Sequence, residues 1–300
     1  MRTRMLVLLL GVVLAAVGCA RRGGEAPTVR VGSKDFTEAF ILAEMYALLL
    51  EDAGFRVERK FNLGGTPVAH EALLKGEIDL YPEYTSTGLL TVLKERPLPN
   101  AQAVVEAVRN GYRQKFDLVW LEPAPFNNTQ ALATTREVSE RYEIRTYSDL
   151  ARRASELRLG APAEFAERED GIKGLQQAYG GFRFKEFRQL GTGSLRYEAL
   201  VNGQVDVVVA FGTDGQISGL GLVLLRDDKN FYPVYQAAPV VRAEVLERYP
   251  KIADALNKLA PSLTDAIMAE LNWRVDGPEK REFAVVAREF LEERGLIRKR

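Results

Sequence analysis

His70 and Cys19 are the single histidine and the single cysteine of this 300-residue chain, so the side chains that most often serve as general base, nucleophile or metal ligand occur once each. One of each makes no metal-ligand set. His70 falls on a helical stretch, where a lone histidine is more often a partly buried surface residue than a catalyst. Five carboxylates, Glu83, Glu164, Glu167, Glu169 and Asp170, have the chemistry for a paired acid and base, but their setting reads as solvated loops. The chain contains no Gly-x-Ser-x-Gly elbow and no Walker-type phosphate loop. Gly191-Thr192-Gly193-Ser194 precedes a helix and can offer free amides to an anion; without the full spacing of a phosphate loop it reads more simply as a tight turn. These residues point to recognition rather than covalent chemistry.

The elements that position such a site are partly duplicated. LGGTPVAHEALLKGEIDLYPEYTSTG from Leu63 and LGTGSLRYEALVNGQVDVVVAFGTDG from Leu190 align without gaps at an offset of 127 residues, with 8 identities in 26 positions. Each copy predicts a short helix carrying Glu-Ala-Leu, a glycine stop at Gly76 or Gly203, and a strand that contains Asp79 or Asp206. Each strand ends on an aromatic residue, Tyr84 or Phe211. In open α/β sheets ligands bind beyond the carboxyl ends of the strands, so two such units predict two lobes whose aromatics share one cleft.

Strands and helices alternate along the rest of the chain. TVRVG at 28–32 reads as a buried strand, 37–51 as a helix with Phe40, Ile41, Met45, Leu48 and Leu49 in helical period, and 55–61 as the next strand. A helix at 101–115 and a strand at 117–121 follow. Pro123, Pro125 and Asn127-Asn128 break the pattern before a strand at 129–133, read as the first crossing between lobes. The second lobe then runs through helices at 148–154 and 171–179 and a strand at 157–160. The extended 231–241 stretch, with Pro233 and Pro239, reads as the return crossing. From Ala243 onward the chain is mostly helical, with Phe283, Val286 and Phe290 at core spacing against the first lobe.

The N-terminus addresses the compartment. Arg2 and Arg4 precede an apolar run from Met5 to Val17 that is too short for a membrane span of about 20 residues. Ala16-Val17-Gly18-Cys19 has the pattern of a bacterial lipoprotein signal, with Cys19 as the lipid attachment site, 1–18 as the signal peptide and 19–27 as a tether. The mature chain of 282 residues carries 39 basic and 41 acidic side chains. No basic excess points to nucleic acid. With one cysteine, the fold rests on its core rather than on disulfides.

GSKDFTEAFILAEMYALLLEDAG from Gly32, both repeat copies, FNNTQALA from Phe126, the run from Phe165 to Gly171, AFGTDGQI from Ala210 and DDKNFYPVYQAAPVVR from Asp227 together resemble the glycine betaine/choline family of osmoprotectant-binding proteins that serve ABC transporters. The likeness spans nearly the whole mature chain in order. It implies an α/β type II periplasmic-binding-protein fold with two crossing segments, lobe 1 at 28–128 and 236–300 and lobe 2 at 129–235. It further implies a monomer without cofactor or enzymatic activity, tethered outside the cytoplasmic membrane or in the periplasm, that delivers solute to permease and ATPase subunits.

A quaternary ammonium has no N–H to donate and is recognised by aromatic faces, worth about 0.5 to 2 kcal/mol per ring. The carboxylate end of a betaine calls for charge-assisted donors. By resemblance the cage falls at Tyr84, position 130, position 211 and Tyr235, with Lys34, Thr87 and Arg168 near the carboxylate. Two positions depart from the family pattern. Phe211 keeps a ring and loses a hydroxyl. Gln130 replaces a ring with a neutral donor and acceptor, so either glycine betaine binds weakly or the ligand carries a polar group facing Gln130, as choline, carnitine, another zwitterion or an amino-acid-like solute would. The leading reading is a quaternary-ammonium compatible solute such as glycine betaine or choline, and the alternative, which Gln130 favours, is a polar amino-acid-like zwitterion. An enzyme on the same bilobal scaffold is the remaining alternative; porphobilinogen deaminase attaches its cofactor through a cysteine that this chain lacks.

Overall fold

The computed structural model describes residues 26–98, 100–191 and 193–299; the expected signal peptide, most of the tether and Cys19 lie outside the described residues. Two five-stranded sheets organise the chain. The first begins with β1 (Thr28–Gly32), β2 (Arg56–Lys60) and β3 (Leu80–Tyr84), with helices α1 (Thr37–Asp52) and α2 (Thr66–Leu74) between them. After β3 come the single turn α3 (Thr85–Thr87), a π-helical turn at Gly88–Val92, α4 (Ala101–Phe116) and β4 (Leu118–Trp120). The second sheet holds β5 (Gln130–Thr134), β6 (Arg158–Ala161), β7 (Glu186–Gln189), β8 (Val207–Phe211) and β9 (Val223–Leu224), connected through α5 (Arg136–Arg141), α6 (Tyr147–Arg153), α7 (Ile172–Tyr179), α8 (Leu195–Val201) and α9 (Gln216–Gly219). Strand β10 (Ala237–Arg242) returns to the first sheet, and α10 (Ala243–Arg248), α11 (Lys251–Asn257), α12 (Asp265–Asp276) and α13 (Phe283–Glu293) complete the chain.

The sheet orders are β2-β1-β3-β10-β4 and β7-β6-β8-β5-β9. In each, three parallel strands are followed by an antiparallel one contributed from the far side of a crossing: β10 pairs with β3, and β5 pairs with β8. The repeat copies therefore lie in separate sheets, with β3 and β8 as equivalents. Gly76 and Gly203 close their helices at φ 69° and 64°, the left-handed region where a residue without Cβ carries no steric cost. Asp79 and Asp206 differ from expectation. Each stands one residue before its strand and accepts a bidentate arginine from the neighbouring strand, Arg30 and Arg158 respectively.

Helix α1 is the centre of the first lobe. Apolar residues surround it on almost every side, because β1 and β3 cover one face while α11, α12 and α13 cover others. Its two buried carboxylates need partners there: Glu44 takes Arg59 at 2.7 and 2.9 Å, and Glu38 turns toward the second lobe. Val286 and Phe290 of α13 are buried against this helix, while Phe283 stacks on Phe40 at its rim. His70, expected as a partly buried surface residue, is more enclosed than that. It is buried edge-on between Tyr112 and Phe116, and neither ring nitrogen has a hydrogen-bond partner among the described residues.

Candidate ligand cleft between the two sheets

The carboxyl ends of β3 and β8 are tied to one carboxylate. Tyr84, the last residue of β3, donates its hydroxyl to Glu38 Oε1 at 2.7 Å, and Thr213, two residues past the end of β8, donates to Glu38 Oε2 at 2.6 Å. The two sheets are therefore joined at one carboxylate, through the aromatic end of β3 and through a residue two past the aromatic end of β8. The crossing segments run side by side next to it: Asn128 N donates to Tyr235 O at 3.0 Å, Tyr235 N to Asn127 Oδ1 at 2.8 Å, and Thr129 Oγ1 to Pro233 O at 3.2 Å. Burial pushes the Glu38 carboxyl above the usual range, opposed by its hydrogen bonds from Thr213, Tyr84, Asn272 and Asn128. The Tyr84 hydroxyl is pushed up in turn, first by burial and then by the charge of Glu38.

In lobe 1, Lys34 lies with its ammonium 4.6 Å from the centroid of the Tyr84 ring and donates to Glu83 Oε1 at 2.6 Å. Glu83 also accepts from Tyr84 N and Tyr81 Oη. Glu83, unlike the solvated loop carboxylate its sequence setting suggests, sits within β3 and is fully buried. A strand packed on both faces hides every side chain, and the Lys34 partner makes the charge tolerable. Thr87 follows Tyr84 in α3 and is half-buried.

In lobe 2, Phe211 ends β8 in register with Gln130 of β5. The Gln130 amide donates to Asp170 Oδ2 at 2.8 Å, and Asp170 also receives both Nε and Nη2 of Arg168. Asp170, grouped with the solvated loop carboxylates by the sequence reading, thus holds Gln130 and Arg168 together, while Arg168 itself remains exposed. Tyr235 is buried beside this group; burial and then the charge of Asp170 push its hydroxyl up. The structure thus brings Lys34, Tyr84 and Thr87 to one strand end and Gln130, Phe211, Arg168 and Tyr235 around the other and the adjoining crossing. It adds Glu38, Asn128, Asp170, Thr213 and Asp214. For Glu38 a signal existed: it precedes Ile41 and Leu42 by three and four residues, so it shares their buried helix face.

A two-sheet α/β chain whose paired crossing segments run beside the aromatic ends of β3 and β8 has the architecture of a bilobal solute-binding protein. Residues 27–293 match the family described as the substrate binding domain of ABC-type glycine betaine transport system. Among relatives, the ergothioneine transport permease/ergothioneine binding protein EgtU of Helicobacter pylori is 39% identical over 274 residues, covering 91% of this chain; the chain spans 48% of that protein's length. A glycine-betaine-binding protein of Pseudomonas aeruginosa is 37% identical over 301 residues, covering 97% of this chain and 96% of that one. The crystal structure of a glycine betaine/carnitine/choline ABC transporter superposes with a TM-score of 0.80 at 33% identity, covering 89% of this chain and 99% of that one. The chain belongs to this family of substrate-binding proteins of ABC importers, which work outside the cytoplasm and hand a small solute to a permease.

Proposed function

We propose that this protein, lipid-anchored through Cys19, captures in the cleft a trimethylammonium zwitterion that also carries a hydrogen-bonding group. Tyr84, Phe211 and Tyr235 supply the rings, Lys34, Thr87 and Arg168 the anionic end, and lobes 28–128 with 236–300 and 129–235 close over it. The observation that supports this ligand class is the Gln130 to Asp170 bond. The wall that resemblance would fill with a fourth ring carries an amide and a carboxylate, which suit a ligand N–H or O–H better than a methyl group. Ergothioneine combines a trimethylammonium, a carboxylate and ring N–H donors, and a 39% identical relative is named for it. Glycine betaine, named for the Pseudomonas relative, is the second reading.

A thermal-shift and calorimetry panel of ergothioneine, carnitine, choline and glycine betaine tests this on the mature protein. A true ligand at 100 times its dissociation constant stabilises by about 2.7 kcal/mol. Gln130→Tyr should weaken the polar ligand and tighten glycine betaine by about 0.5 to 2 kcal/mol. Strong glycine betaine binding by the unmodified protein, unchanged by Asp170→Asn, would sink the polar-ligand reading in favour of a compatible solute. Intact-mass measurement of membrane-extracted protein checks Cys19 separately.

A further inference from the structure

Glu38 is a buried carboxylate that accepts four side-chain hydrogen bonds at the junction of the two sheets. Its four hydrogen bonds come from four different places. Oε1 accepts from Tyr84 Oη at the end of β3 and from Asn128 Nδ2 in the first crossing segment, at 2.7 and 2.6 Å. Oε2 accepts from Thr213 Oγ1 beyond β8 and from Asn272 Nδ2 on α12, at 2.6 and 2.9 Å. The Asn272 amide also donates to Thr213 O at 2.9 Å, so one nitrogen bridges the two lobes. Next to it, Trp273 packs closely on α9 and the residue before it: a Cβ at Gly215 or Gly219 would come within 2.5 or 2.3 Å of it.

A carboxylate is planar and fully buried here, so its oxygens cannot follow one donor without leaving another. Rotation of lobe 2 that carries Thr213 away either takes one of four donors from a buried carboxylate or drags the carboxylate and the Tyr84 hydroxyl with it. Hydrogen bonds to a charged acceptor are the strong ones, and an unpaired buried carboxylate is costly. Both penalties act at the pivot, because Asn128 belongs to a crossing segment and Gly212, beside Thr213, donates its backbone N–H to Thr129 O at 2.9 Å.

We propose that Glu38 is a positioning residue of the cleft: it sets the angle between the lobes at the pivot and, through the same carboxylate, ties the Tyr84 hydroxyl to Thr213 of lobe 2. The consequence for ligand rests on the reading that the solute binds in this cleft; the consequence for lobe angle does not. Glu38→Gln replaces one acceptor with a donor facing other donors, and Thr213→Val and Tyr84→Phe each cut one arm while leaving the backbone and, for Tyr84, the ring.

The test uses nitroxide pairs at Lys60→Cys and Arg188→Cys, exposed on the outer strands β2 and β7, in a Cys19→Ser background. Electron-spin distance distributions are recorded beside calorimetric titration with ergothioneine and with glycine betaine. Thr213→Val and Tyr84→Phe should each shift or broaden the interlobe distance and weaken binding by about tenfold. Within Glu38→Gln, adding Thr213→Val should bring no further loss, since both act through one carboxylate. If Glu38→Gln does not fold, the two single-arm variants decide the matter. Distance distributions in both that superimpose on the unsubstituted protein, with only the melting temperature lowered, would overturn the proposal. Tyr84→Ala with undiminished binding would instead overturn the cleft as the ligand site and leave Glu38 to be judged on distance alone.

Discussion

The ends of β3 and β8 solve the same problem with different residues. In lobe 1, Glu83 accepts from the backbone N–H of the terminal aromatic, Tyr84, from a tyrosine hydroxyl, Tyr81, and from a cation, Lys34. In lobe 2, Asp214 accepts from the N–H of the terminal aromatic, Phe211, from a tyrosine hydroxyl, Tyr197, and from a cation, Arg196. Each cation lies over its ring, Lys34 at 4.6 Å from Tyr84 and Arg196 at 5.7 Å from Phe211. Yet Glu83 precedes its ring in sequence and Asp214 follows its own by three residues. The difference lies in the ring: Tyr84 has a hydroxyl anchored on Glu38, and Phe211 has none. Lobe 1 therefore presents a wall fixed at both ends, whereas the lobe 2 ring is held from behind only.

The largest effect should come from breaking the two corners one at a time. Lys34 and Glu83 are both buried, so Glu83→Gln leaves an ammonium without its counter-charge and should cost about 3 to 5 kcal/mol. Asp214→Asn does the same to the buried Arg196, but Asp214 retains a partly exposed side chain, and about 2 to 3 kcal/mol is expected. Urea denaturation of both checks the order; equal losses would mean that the corners are interchangeable and exposure does not matter.

A smaller contrast separates the two aspartates ahead of the strands. Asp79 is nearly buried and has Arg242 at 3.9 Å in addition to Arg30, whereas Asp206 is more open and has Arg158. Asp79→Asn should lower stability by about 2 kcal/mol and Asp206→Asn by about 1 kcal/mol.

His70 and Tyr197 occupy the same place in the two repeats, but Tyr197 reaches Asp214 while His70 reaches no acceptor among the described residues. Burial lowers the His70 pKa, against the opposing charges of Glu83 and Glu71. The unfolded chain therefore binds a proton first as pH falls below about 6.5, and stability is lost through that window at a rate of at most about 1.4 kcal/mol per pH unit. His70→Leu should flatten the melting temperature between pH 7 and pH 5; an unchanged slope would assign the loss to other groups. The smallest effect belongs to Phe211→Tyr. It restores a hydroxyl at a half-buried position and should change stability by less than about 0.5 kcal/mol, a result readable by the same denaturation series.

Most of the architecture was legible from the chain because its signals are local and repeated. The glycines at 76 and 203 punctuate helix and strand, the alternation of periods marks the elements, and Tyr84 and Phe211 fall at equivalent strand ends. Glu83, Asp170 and Glu38 were not legible in their roles. A carboxylate in a sequence looks the same whether water or an arginine will meet it, and the partner of Glu83 lies 49 residues away, that of Asp170 at Gln130 40 residues away, and that of Glu38 at Thr213 175 residues away.

Legible in the chain, therefore, are the units and their order: two αβ repeats and the breaks that carry the chain from one sheet to the other. Which charges are paired, and which element ties the lobes together, emerges from packing between distant parts of the chain. Periodicity reports which way a side chain faces within its own helix or strand, because backbone geometry sets that locally. The cost of burying a charge is settled by whatever group packing brings within hydrogen-bond reach, and that group arrives from the other side of the molecule.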